Sequence, residues 1–99
     1  MPACDLHFTD EALADLTVLR TFDQNRVTDA IESQLLHQPD VESRNRKRLR
    51  PNQLAEWELR IDNLRVFFDV RPSAPSVNIV AVGWKQGEKL FIHGQPYQL

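Results

Sequence analysis

A chain of 99 residues, 41% hydrophobic and 26% charged, holds enough apolar material for one modest core. Two domains, or disorder throughout, do not fit it. A formal charge of −2 and a single cysteine, Cys4, argue against a uniformly basic nucleic-acid binder, exclude an internal disulfide and fit a reducing cytoplasm. No apolar run approaches the roughly 20 residues of a membrane span, and no signal-peptide pattern occupies the N-terminus.

In chain order, Cys4 to Phe8 alternates weakly and predicts a short first strand. Thr9 is a candidate cap for a first helix over Asp10 to Arg20, whose first turn carries Asp10 and Glu11 against the positive end of the helix dipole. Asp23 is a second candidate cap. Val27, Ala30, Ile31 and Leu35 share one helical face, so a second helix runs to about Leu36, ended by Pro39. A basic stretch follows, Arg44, Arg46, Lys47, Arg48 and Arg50, expected as a loop with Pro51-Asn52-Gln53.

Two runs of alternating residues come next, Trp57 to Ile61 and Leu64 to Val70, joined by Asp62-Asn63. Period two with a two-residue turn predicts a β-hairpin. Trp57, Leu59 and Ile61 fall on one face of the first strand, with Glu56, Glu58 and Arg60 on the other. In the second strand Arg65 and Asp69 oppose Leu64, Val66, Phe68 and Val70. Pro72 to Ser76 reads as a loop. Val77 to Trp84 reads as a central strand ending near Gly83, Gly87 as a turn, and Leu90 to Ile92 as a short last strand. Gly94 and Pro96 close the ordered chain. The prediction is one α+β domain over residues 1–99, with two N-terminal helices packed on a four- to five-stranded, mainly antiparallel sheet.

Charge is sorted along this order. Residues 1–42 hold nine acids against two bases, a balance of −7; residues 43–99 hold ten bases against five acids, +5. The second part therefore suits a polyanion or an acidic protein segment. His7, His37 and His93 are too scattered for a metal site, and Gly-rich phosphate loops, nucleophile elbows and Cys–His signatures are absent. Cations with a few carboxylates suit cleavage of an RNA phosphodiester without metal or cofactor, because the 2′-hydroxyl is the substrate's own nucleophile. Arginine forks match phosphate oxygens but do not give up their proton. Proton transfer would then fall to Glu58, or to Lys85 with a lowered pKa, and Glu58 lies two residues from Arg60 on one strand face. A plain surface ion pair is the competing reading of Glu58.

The segments RLR, WELRIDNLRVFFDV and VNIVAVGWKQGEKLFI resemble the RelE/ParE family of small toxins from type II toxin–antitoxin modules, over roughly Phe8 to Gly94. The resemblance implies a compact toxin whose partner is an antitoxin that wraps it and blocks its basic surface, with operator DNA reached only through that antitoxin. RelE-like members enter the ribosome and cut mRNA without a metal; ParE-like members poison DNA gyrase. By position Arg60, Arg65 and Lys85 correspond to the cationic side chains of RelE-like toxins, with Arg65 the closest match. Arg46, Lys47, Arg48 and Arg50 resemble the loop that grips RNA backbone. Arg60 replaces a usual lysine, Glu58 stands where another lysine is common, and Phe91 stands where many members have a tyrosine, which leaves stacking without a hydroxyl. An mRNA endoribonuclease, a gyrase inhibitor and an inactive module that binds antitoxin and co-represses its operon all remain open at this point.

Overall fold

The computed structural model describes residues 4–71 and 75–99. Strand β1 (Asp5–Phe8) leads into helices α1 (Asp10–Thr17) and α2 (Thr21–Gln34). Then come β2 (Arg46–Arg48), β3 (Trp57–Ile61), β4 (Leu64–Arg71), β5 (Ser76–Gln86), β6 (Lys89–Ile92) and β7 (Gln95–Tyr97). The strands make one seven-stranded sheet in the order β2-β3-β4-β5-β6-β7, with β1 joined to β5. Only the β1–β5 pairing is parallel among the described residues. The α+β arrangement is as expected, with more strands than the four or five predicted.

The two additional strands are three residues long, and each arises from a local cause. The basic run expected as a loop is in part the edge strand β2, whose residues alternate across the sheet; a charged edge discourages further pairing. At the far edge His93 and Gly94 both take positive φ, 55° and 72°, the requirement of a two-residue hairpin turn, and fold β7 back on β6. Pro96 is tolerated there because β7 is an edge strand.

Helix α1 starts as predicted, with Thr9 Oγ1 accepting the Ala12 N–H at 3.1 Å, but ends three residues early, at Thr17. Asp23 is not a cap. It lies inside the first turn of α2, whose N-cap is Arg20, and forms ion pairs with Arg20 and Arg26. Strand β5 does not end at Gly83 but runs on to Gln86. The loop expected at 72–76 lies partly outside the described residues, and Ser76 already belongs to β5.

The helices cover one face of the sheet. Ala12, Val27, Ile31 and Leu35 pack against Trp57, Leu59, Val66, Phe68 and Ile79, all buried. Each large side chain removed from water there contributes roughly 1.5–3 kcal/mol. The opposite face carries a smaller apolar cluster of Ala55, Phe67, Ala81 and Ile92, onto which Leu49, Leu54 and Tyr97 pack. The segment between β2 and β3 is thus folded across the helix-free face, leaving part of that face open.

Strands β1 and β6 share one edge of β5, β1 along Ser76–Ile79 and β6 along Gly83–Gln86. In the gap between them α1 supplies the missing partners. Thr9 Oγ1 donates to the Val80 carbonyl at 3.3 Å, and the buried Asp15 accepts the Val82 N–H at 3.0 Å. His93 Nδ1 faces both carboxylate oxygens of Asp15, Oδ1 at 2.8 Å and Oδ2 at 2.7 Å, tying the β6–β7 turn to the helix. Among the described residues no helix is long and apolar enough to cross a membrane.

Candidate functional site

The register of the β3–β4 hairpin sets the site. Arg60 pairs directly with Arg65, and Glu58 with Phe67, so all four side chains lie on the helix-free face. Arg65 is opposite Gly83 on β5, and Lys85, two residues further, keeps to the same side. Arg60, Arg65, Lys85 and Glu58 line one open concavity of about 970 Å3. Arg50 enters from the crossing segment, while Leu90 and Tyr97 come from the C-terminal hairpin.

Two guanidinium groups directly opposed on a sheet repel each other. The carboxylate of Glu58 offsets this: its side chain is only 7% exposed, and Oε1 accepts from Arg60 Nε at 2.6 Å. Arg65 is held by backbone, donating from Nη1 to the carbonyls of Asp62 at 2.6 Å and Leu64 at 2.9 Å. Burial pushes the Arg65 guanidinium below its ordinary value; nearby Glu58 raises it and Arg60 lowers it further. It remains a cation, since arginine starts so high. Among the described residues Arg50, Arg65 and Lys85 face no carboxylate at ion-pair distance. A concavity with cations left over and one buried carboxylate can hold a phosphodiester and accept a proton from a group bound beside it.

The other sequence-selected residues are placed differently. Arg46 lies opposite Leu59 and turns to the helix side, where its guanidinium donates to the carbonyls of Gln34 and Gln38 and caps the end of α2. Arg48 lies over the Trp57 ring, 5.6 Å from its centroid, with Glu56 at 3.8 Å. Lys47 is the member of β2 on the site face, across from Glu58. Phe91 is not brought to the concavity. It pairs with Trp84 and stacks on it at 5.5 Å, with the parity of the helix-covered face.

Sequence reasoning missed two contributors. Tyr97, set by the unforeseen strand β7, brings a phenol to the concavity. Asn52 stiffens the segment that carries Arg50: its Oδ1 accepts the N–H groups of Leu54 and Ala55, and its Nδ2 donates to the carbonyls of Arg50 and Ala55. The Pro51-Asn52 pair is a turn signal that identifies such a brace, though not what it supports.

Fold and site together define a small α+β domain with a cation-lined concavity on the helix-free face of its sheet. A family model described as the ParE toxin of the type II toxin–antitoxin system parDE matches residues 6–86, and the chain belongs to that family, within the RelE/ParE toxins. Among solved structures, the toxin–antitoxin complex RelBE2 from Mycobacterium tuberculosis contains a similar chain, with a TM-score of 0.72 and 22% identity. The match covers 86% of this chain and 100% of that one, which shows a shared fold. Comparison with curated proteins returns no match.

Proposed function

We propose that this toxin is a metal-independent endoribonuclease that cuts mRNA, on the ribosome or free, and is neutralised by a cognate antitoxin. The convergence of Arg60, Arg65 and Lys85 on one concavity with the buried Glu58 carries the reading. Arg65 and Arg60 hold the scissile phosphate and stabilise the charge that builds on its equatorial oxygens. Glu58 takes the proton of the 2′-hydroxyl as that oxygen attacks phosphorus. The P–O5′ bond breaks, leaving a 2′,3′-cyclic phosphate, and Lys85 returns a proton to the departing 5′-oxygen. Tyr97 offers a ring against which a base stacks. An antitoxin partner is supported by the family and by the toxin–antitoxin complex of the similar fold; an acidic or amphipathic segment suits the +5 balance of residues 43–99.

Induced expression in a bacterium with mapping of mRNA 5′ ends tests this. The expected result is growth arrest with clustered cuts, abolished by Arg65→Ala in a protein that still folds. Arrest without RNA cuts overturns it, as does normal growth. The match to a ParE toxin model favours a second reading, inhibition of DNA gyrase. That reading expects blocked supercoiling and a DNA damage response while mRNA stays intact.

A further inference from the structure

A second concavity, of about 610 Å3, adjoins the first and shares Leu49, Arg50, Pro51 and Asn52 with it. Its outer wall is Asp69, Val70 and Arg71 from the end of β4, with Glu56 and Arg48 beside it. Arg71 has the same strand parity as Arg65, so both belong to the helix-free face of β4. Six residues of extended chain separate them, about 20 Å. Arg50 stands between, in the walls of both concavities.

The carboxylates of this second concavity already have partners. Asp69 Oδ1 accepts the Glu56 N–H at 2.8 Å, and Glu56 faces Arg48 at 3.8 Å. Among the described residues Arg50 and Arg71 face no carboxylate at ion-pair distance, and both are exposed. The unpaired cations therefore form a line from Lys85 and Arg65 over Arg50 to Arg71, with apolar Leu49, Pro51 and Leu54 along it. Spaced cations beside apolar surface suit a single-stranded polynucleotide: its phosphates meet the guanidinium groups and its bases cover the apolar atoms. A compact mononucleotide cannot reach both ends.

From this arrangement we infer that the concavity around Arg71 and Arg50 is a second phosphate subsite, holding RNA that flanks the linkage at Arg65. The inference rests on the reading of the first concavity as the RNA site. It makes the natural ligand a chain of several nucleotides.

The test uses the full-length toxin with 2′-O-methyl RNA, which cannot be cut, as a trimer and as a heptamer, read by fluorescence anisotropy. The heptamer is expected to bind roughly tenfold more tightly than the trimer, the gain of one or two charge-assisted contacts. Arg71→Ala removes that gain, lowers the salt dependence of heptamer binding by about one ion, and leaves trimer affinity unchanged. Arg65→Ala weakens both oligomers. Trimer binding with no gain on lengthening, or a gain indifferent to Arg71→Ala, overturns the second subsite while the first stands. Failure of both oligomers to bind overturns the second subsite and the reading of the first concavity as a site for free RNA, leaving it only mRNA held on the ribosome. Should hepta-glutamate bind with Arg71 dependence while the RNA gain lacks it, the concavity faces a protein and the inference fails.

Discussion

The backbone N–H of Lys85 donates to the carbonyl oxygen of Asn63 at 2.7 Å. The neighbouring turn carbonyl, that of Asp62, accepts from Arg65. One two-residue turn thus fixes the guanidinium on β4 and the backbone that carries the lysine on β5. Arg26 of α2 reaches the same turn through the Asp62 carboxylate, connecting the helical layer to the site.

The turn itself is conformationally demanding, because Asp62 sits at φ 53°. Asp62→Val places a β-branched residue in the left-handed region and is expected to cost about 1–2 kcal/mol. Asp62→Asn keeps the backbone preference and loses only a pair in which the aspartate is 80% exposed, so it should be nearly neutral. Urea unfolding measures both, and a neutral Asp62→Val would show that the turn does not hold this geometry in solution.

Gly83 is required for a different reason. A Cβ there would collide with the carbonyl oxygen of Phe91, a backbone atom that cannot swing aside. Gly83→Ala is expected to separate β6 from β5 and to destabilise the protein by roughly 3 kcal/mol, at the upper end for overpacking. Since β6 and β7 carry Leu90 and Tyr97, RNA affinity should fall with it even in the fraction that stays folded. Unfolding and anisotropy in parallel separate the two effects.

How much of this was readable beforehand follows from where each signal resides. The β3–β4 hairpin was legible because alternation and the Asp62-Asn63 turn are local, and alternation alone put Glu58 and Arg60 on one face and Arg65 among the polar positions. The helical stripes were legible for the same reason. Strands β2 and β7 were not: three residues carry no period, and neighbouring strands hold them in place. The side taken by Arg46 and Arg48 depends on register with Leu59 and Trp57, which is tertiary information. Phe91 illustrates the same limit. The turn at Gly87-Glu88 pairs Gln86 with Lys89, and therefore Trp84, not Lys85, with Phe91.

His93 makes a prediction about the unforeseen hairpin. It holds positive φ and meets both oxygens of a carboxylate that is almost fully buried. His93→Ala leaves the Asp15 carboxylate with the Val82 N–H but without the imidazole and puts alanine in an unfavourable conformation, a combined cost of about 2 kcal/mol. His93→Asn should recover most of it, since its amide nitrogen can take the place of Nδ1 and asparagine tolerates the left-handed region. Hydrogen exchange across residues 89–97 should rise in the alanine variant and return in the asparagine one. Equal exchange in both would remove the role assigned to this contact.

Arg65 allows a pH experiment with a definite sign. Burial lowers its pKa without discharging it. Arg65→Lys puts a group with an ordinary value of about 10.4 into the same environment, where burial lowers it, Glu58 opposes the lowering and Arg60 adds to it. As pH rises toward that lowered value the variant loses its charge and its RNA affinity, while the wild type does not. Stability moves the other way. The unfolded chain keeps its proton longer than the folded one, so the variant gains stability between the folded and unfolded pKa values. Affinity that follows the wild type across alkaline pH would mean that Arg65 does not contact phosphate.

Glu58→Gln separates holding the substrate from cutting it. The substitution preserves shape and an oxygen for Arg60 Nε, but removes the base and one negative charge from the concavity. RNA affinity should therefore stay the same or rise slightly, because the phosphate no longer meets a carboxylate. Cleavage should fall by a factor on the order of 10² to 10⁴, the usual contribution of a positioned proton acceptor. Wild-type cleavage in this variant would exclude Glu58 and direct attention to Lys85, Glu88 and the Tyr97 hydroxyl, which line the same concavity and can exchange a proton. If Glu58→Gln instead loses affinity and stability together, the carboxylate serves to offset the repulsion between Arg60 and Arg65, and the proton is taken elsewhere.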